Sequence, residues 1–99
     1  MEVFAFQAAL LCVTCGEQAI LTCRGKGLAD NGDSGDFPQG PYSNGGGEAD
    51  TPQACDVCGT FLENPLTRDG AAYVRERLGS GKGDSDVLAT WASFYGLDA

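Results

Sequence analysis

Apolar residues run with few interruptions from Val3 through Phe4, Phe6, Leu10 and Leu11 to Val13, and Val3–Phe6 reads as the start of a strand. Gln7 to Leu11 fits helix or strand; we read the run as a strand that leads into a pair of cysteines. After Gly16 the pattern changes. Ala19, Ile20 and Cys23 share one helical face and Gly25 supplies a stop; strand alternation fits nearly as well, and we read a short helix over 17–24. Residues 26–53 have no period and are rich in Gly, Asp, Pro and Asn, so they predict a long connection. Connections of that length inside a compact domain are either functional or disordered. Phe37-Pro38 and Pro41-Tyr42 give this one aromatic rings with which to dock. Thr67 is a good N-cap for a helix over 67–78, with Tyr73, Val74, Arg77 and Leu78 on one face and Gly79 as its stop. Ser80-Gly81-Lys82-Gly83 reads as a joint, and Asp84 or Ser85 opens a second helix over 85–96. Its Val87, Leu88, Trp91, Phe94 and Tyr95 form the clearest amphipathic stripe in the chain. The expected architecture is one α+β domain over 1–99 with a long central loop and two C-terminal helices.

Composition changes this picture in one respect. The chain has 99 residues and 15 glycines, and the segment from Gly25 to Pro52 adds little to a core. What remains lies near the size at which domains recruit metals or disulfides for stability. The 5 cysteines point to one of those devices. Choosing between them depends on redox setting. The N-terminal run carries Glu2 where an export signal needs Lys or Arg, is interrupted by Gln7, and has no small-residue cleavage site. Nothing approaches the length of a membrane span. We therefore expect a cytoplasmic, reducing location, where paired cysteines serve as metal ligands.

Cys12-Val13-Thr14-Cys15-Gly16 and Cys55-Asp56-Val57-Cys58-Gly59 repeat the pattern C-x-x-C-G. Two intervening residues let both sulfurs reach one ion about 2.3 Å away. A glycine after the second cysteine permits positive φ, so that backbone N–H groups turn towards the sulfurs. Two such knuckles complete a Cys₄ shell from Cys12, Cys15, Cys55 and Cys58. Closing the loop of about forty residues between them costs roughly 3 kcal/mol, against the order of 10–16 kcal/mol that a structural zinc supplies. One structural Zn²⁺ is the expected cofactor, with iron the alternative. Cys23 is read first as a small buried apolar residue, and second as a fifth or alternative ligand.

The knuckles resemble those of zinc-ribbon and rubredoxin-like domains, a likeness confined to the motif residues. A broader likeness of Asp36–Tyr42, Gly45–Asp50 and Phe61–Thr67 is to small uncharacterised proteins of bacteria and their phages. It implies a cytoplasmic setting and a structured central loop, and carries no activity.

No catalytic constellation stands out, and we do not expect an enzyme. The chain has no histidine, which removes Cys–His and Ser–His pairs, and four cysteines on one ion leave no open coordination position. Asp30-Asn31-Gly32-Asp33-Ser34-Gly35-Asp36 does not follow the order of EF-hand ligands and reads as a solvated acidic loop. The formal charge of −8, with Arg68, Arg75, Arg77 and Lys82 interleaved with acids, disfavours nucleic acid and anionic membranes. A protein partner, of basic character if charge selects it, remains the leading expectation. Candidate contact residues are Phe37 and Tyr42 in the loop, and Trp91, Phe94 and Tyr95 on the last helix, whose more ordinary role is core packing. Alternatives are an acidic nucleic-acid mimic that inhibits a host protein, a redox- or zinc-responsive switch using Cys23, and a rubredoxin-like electron carrier.

Overall fold

The apolar run at the N-terminus folds back on itself. In the computed structural model, which describes residues 1–81 and 83–97, β1 (Val3–Phe6) and β2 (Ala9–Cys12) form an antiparallel hairpin. Lys82, counted above among the basic residues, lies outside the described residues, as do positions 98 and 99. The hairpin register pairs Val3 with Cys12 and Phe6 with Ala9. Its two-residue turn is Gln7-Ala8, at φ 51° and 61°. Both residues carry a Cβ into the left-handed region that such turns demand and that Asn-Gly fills more easily. The Gln7 N–H donates to the Ser34 carbonyl at 2.8 Å, which anchors the turn to the central segment.

Consecutive residues of β1 are buried because both faces of the sheet are covered. Phe4 packs on helix α1 (Val13–Gly25), where a Cβ added to Gly16 would come within 2.2 Å of the phenyl ring. Val3 faces the other way, towards Leu10 and a 3₁₀ turn at Asn44–Gly46. The long central segment is therefore ordered around the sheet. It supplies β3 (Gln39–Tyr42), which pairs with the free edge of β1 through Val3–Tyr42 and Ala5–Gln39, with a bulge between. Sheet order is β2-β1-β3, antiparallel throughout. Val3, Phe4, Leu11, Cys55 and Leu62 form the buried core of this region. The pattern left β3 undetected because Gln39-Gly40-Pro41-Tyr42 has neither alternation nor β-branched residues. Pro41, which has no N–H, is tolerated because β3 is an edge strand.

α1 starts at Val13, ahead of the expected Glu17, and takes the first cysteine pair into its opening turn. The chain after it returns as a second, irregular arm, bridged at Ala49–Leu66 and Ala54–Phe61. Asn64 holds that arm from inside. It is fully buried, accepts from the Gln53 N–H at 2.7 Å, and donates to the carbonyls of Thr51 and Pro65 at 3.1 Å each.

Two helices follow, α2 (Arg68–Ser80) and α3 (Ser85–Tyr95). The Thr67 hydroxyl accepts from the Gly70 N–H at 3.0 Å, and Asp84 accepts from the N–H groups of Asp86 and Val87, so both expected caps are formed. The α2 stop lies at Gly81, in the left-handed conformation, and not at Gly79. Gly96 ends α3 in the same way. No helix among the described residues is long and apolar enough to cross a membrane.

Candidate metal centre

The two C-x-x-C-G elements reach one point by different local routes. Cys12 is the N-cap of α1 and Cys15 lies in its first turn, so their spacing of three places both on one helical face. Gly16 is helical and buried, and what it provides is space for Phe4. The positive φ expected after both pairs is therefore absent at Gly16, because a helix already directs the backbone N–H groups. The second pair does form a knuckle. It caps a small hairpin in which the Cys55 N–H donates to the Thr60 carbonyl at 2.8 Å and Gly59 N–H to the Cys55 carbonyl at 2.9 Å. Gly59 sits at φ 77° with open space around it, as the knuckle geometry requires. The Asp56 N–H donates to the Leu10 carbonyl at 3.0 Å, which ties this knuckle to β2.

These constraints bring Cys12, Cys15, Cys55 and Cys58 together with all four sulfurs within 4.8 Å of one another. Cys12 and Cys58, far apart in sequence, approach to 3.7 Å between sulfurs. A tetrahedral ion about 2.3 Å from each ligand sets its sulfurs about 3.8 Å apart. A disulfide needs about 2.05 Å, and all five cysteines are free thiols. The four residues therefore fit a tetrahedral thiolate shell. They would hold a metal ion through sulfur alone.

The surroundings favour negative sulfur at the second knuckle. Burial of Cys55 opposes ionisation, but the backbone N–H groups of Cys58, Cys12 and Val57 outweigh it and hold its thiol down at about 6. At Cys58 the Thr60 hydroxyl, 3.1 Å away, and then the Thr60 N–H lower the thiol. Cys15 is pushed up to about 12, first by its hydrogen bond to Cys12 and then by burial and the sulfurs of Cys55 and Cys58. Thiols this close cannot all ionise without a cation between them. A divalent ion removes that conflict, and the positive end of the α1 dipole adds to it.

Cys23 is buried, with its Sγ 3.9 Å from the Asp36 carbonyl. It lies eight residues after Cys15 on the same helix, about 12 Å along the axis at 1.5 Å per residue. That separation keeps it out of the shell and accords with the small-core reading.

The other candidate residues are dispersed. Phe37 is only 3 % exposed, so it belongs to the interior and cannot present the aromatic surface its loop suggested. Tyr42 is exposed on the edge strand. Trp91 packs against Tyr73 of α2, and Phe94 and Tyr95 make edge contacts with Phe61. The Tyr95 hydroxyl donates to the Asn64 carbonyl at 2.7 Å. Sequence reasoning missed Asn64 and Thr60. Asn64 carries no motif, whereas Thr60, two residues after a ligating cysteine, was in a position to be found.

Searches against family models, curated proteins and solved structures found no match to this chain.

Proposed function

We propose that this protein is a zinc-stabilised, non-enzymatic module for contact with another protein. The four-cysteine cluster marks a metal-binding module, and the closeness of its sulfurs is the observation that carries the reading. An all-thiolate shell suits zinc and leaves no coordination position for a substrate, which argues for a structural role. The position of the cluster supports the same view. It pins β2, the start of α1 and the hairpin at Cys55–Cys58 to one another at the edge of a small core. With the metal site consumed by architecture, the surface is what remains for function, and its strong negative charge favours a basic partner.

Elemental analysis of protein purified without a metal-binding tag, alongside a count of free thiols, tests this. One zinc per chain with only Cys23 titrating is the expected result. One iron would move the reading to a rubredoxin-like electron carrier. No metal, with two disulfides, would overturn it.

A further inference from the structure

The four clustered cysteines are not equally held. Cys55 is only 3 % exposed and belongs to the buried core with Val3, Phe4, Leu11 and Leu62. Cys12 and Cys15 pack against that core from the end of β2 and the first turn of α1. Cys58 does neither. It lies at the centre of a run, Asp56 to Thr60, in which every residue is exposed. Beyond the other clustered sulfurs, its side chain meets the Thr60 hydroxyl at 3.1 Å. Thr60 belongs to the same exposed turn, so this contact ties the sulfur to the turn and not to the core.

The turn is anchored by backbone alone. The Cys55 N–H donates to the Thr60 carbonyl, the Gly59 N–H to the Cys55 carbonyl and the Asp56 N–H to the Leu10 carbonyl, at 2.8, 2.9 and 3.0 Å. None of these bonds involves the Cys58 side chain. Rotation about the Cα–Cβ bond of Cys58 therefore withdraws its sulfur and leaves the anchors and the buried core as they are. Cys55 has no such freedom, because it is packed among buried side chains. Cys12 and Cys15 are fixed by the strand and the helix that carry them.

We propose that Cys58 is the position at which the four-sulfur shell opens, and that the sulfur of a small external thiol takes its place there. The proposal rests on the metal-binding reading. It adds a route by which an ion is loaded or withdrawn without unfolding the core. Cys58 gives up its bond to the ion and takes the proton that the incoming thiol loses. The incoming sulfur makes the bond that Cys58 had, and no electron changes hands.

The test is chemical rescue in the full chain, read by the visible absorption of bound cobalt(II), which reports tetrahedral sulfur ligation. Cys58→Ala removes an exposed sulfur, and Cys55→Ala removes a buried one. Added 2-mercaptoethanol should restore the native cobalt spectrum in Cys58→Ala and leave that of Cys55→Ala unchanged. A second measurement keeps the native sequence. Zinc-loaded protein treated with limiting iodoacetamide, then mapped by mass, should carry its first label among the four at Cys58. Rescue at both positions, rescue at Cys55→Ala alone, or a first label on Cys12, Cys15 or Cys55 overturns the opening at Cys58. So does a Cys58→Ala variant that keeps the native amide spectrum and is not rescued; if that variant does not fold, the label decides. A native chain that takes up neither cobalt nor zinc overturns the metal reading and the opening with it. One that takes up metal but is labelled evenly overturns the opening alone.

Discussion

The end of the molecule around the four cysteines and the end built by α2 and α3 are held together by different means. The first has a core of a few buried side chains, Val3, Phe4, Leu11, Cys55 and Leu62, with the sulfur cluster at its margin. The second uses end caps, the Tyr95–Asn64 hydrogen bond, and rings packed in pairs, with Leu88 and Val74 as its buried aliphatic residues. The whole extends over 49 × 23 × 17 Å, long for its mass, so neither end can borrow much burial from the other. The lesson is about scale. Where apolar surface is scarce, four sulfurs gathered at a junction of chain segments, and placed to hold a metal ion, stand where a larger core would otherwise be needed. Where helices are available, correct caps and a few aromatic contacts suffice to hold them to the arm.

The most forceful way to break the comparison is to remove a ligand. Cys55→Ser should abolish stoichiometric metal binding and remove most of the order of 10–16 kcal/mol that a structural zinc contributes. Amide exchange in β1, β2 and α1 should rise to that of an open chain. Fluorescence of the single tryptophan, Trp91, should change much less, since its partner Tyr73 lies at the other end. Simultaneous loss of both signals would show that the two ends unfold as one.

Asn64→Ala tests the joint between them. It leaves the Gln53 N–H and the Thr51 and Pro65 carbonyls without their partner in a buried site. We expect a loss of about 3 kcal/mol in denaturant unfolding.

The two motif glycines sharpen the contrast inside the metal end. Gly16→Ala should cost about 1–3 kcal/mol through overpacking against Phe4, and Phe4→Leu should recover part of it. Gly59→Ala meets no neighbour, so its cost should be only the roughly 1 kcal/mol of a left-handed residue, and Phe4→Leu should not rescue it. Rescue of both would mean that the two glycines act alike.

At the helical end, burial pushes the Tyr95 phenol up to about 12 from 10.0. Because the folded value is the higher one, its contribution is intact below pH 10 and is lost as pH rises towards 12. Alkaline unfolding of Tyr95→Phe should lack that component, at a cost of about 1 kcal/mol at neutral pH. The smallest expected effect is a gain. Replacing Gln7-Ala8 by Asn-Gly relieves two left-handed residues and should stabilise the hairpin by about 1 kcal/mol.

Much of this was legible in the residues. The duplicated C-x-x-C-G named the four clustered sulfurs, because ligand spacing is a local property that survives in sequence. Thr67 and Asp84 marked the starts of α2 and α3, because a cap is an interaction with the next few residues. Other features depended on partners distant in the chain. α1 starts at Val13 because Gly16 can lie against Phe4, a contact made only once the hairpin has folded. β3 is a strand because β1 offers a free edge, not because of its own composition. Phe37 is buried where its loop looked open. The sequence by itself determined the ligand set, the class of fold and the two C-terminal helices, all of which follow from short-range chemistry and periodicity. The tertiary structure alone decided which backbone route each cysteine pair takes and that Cys23 stays outside the shell. Those outcomes depend on packing between segments tens of residues apart, and no local pattern encodes them.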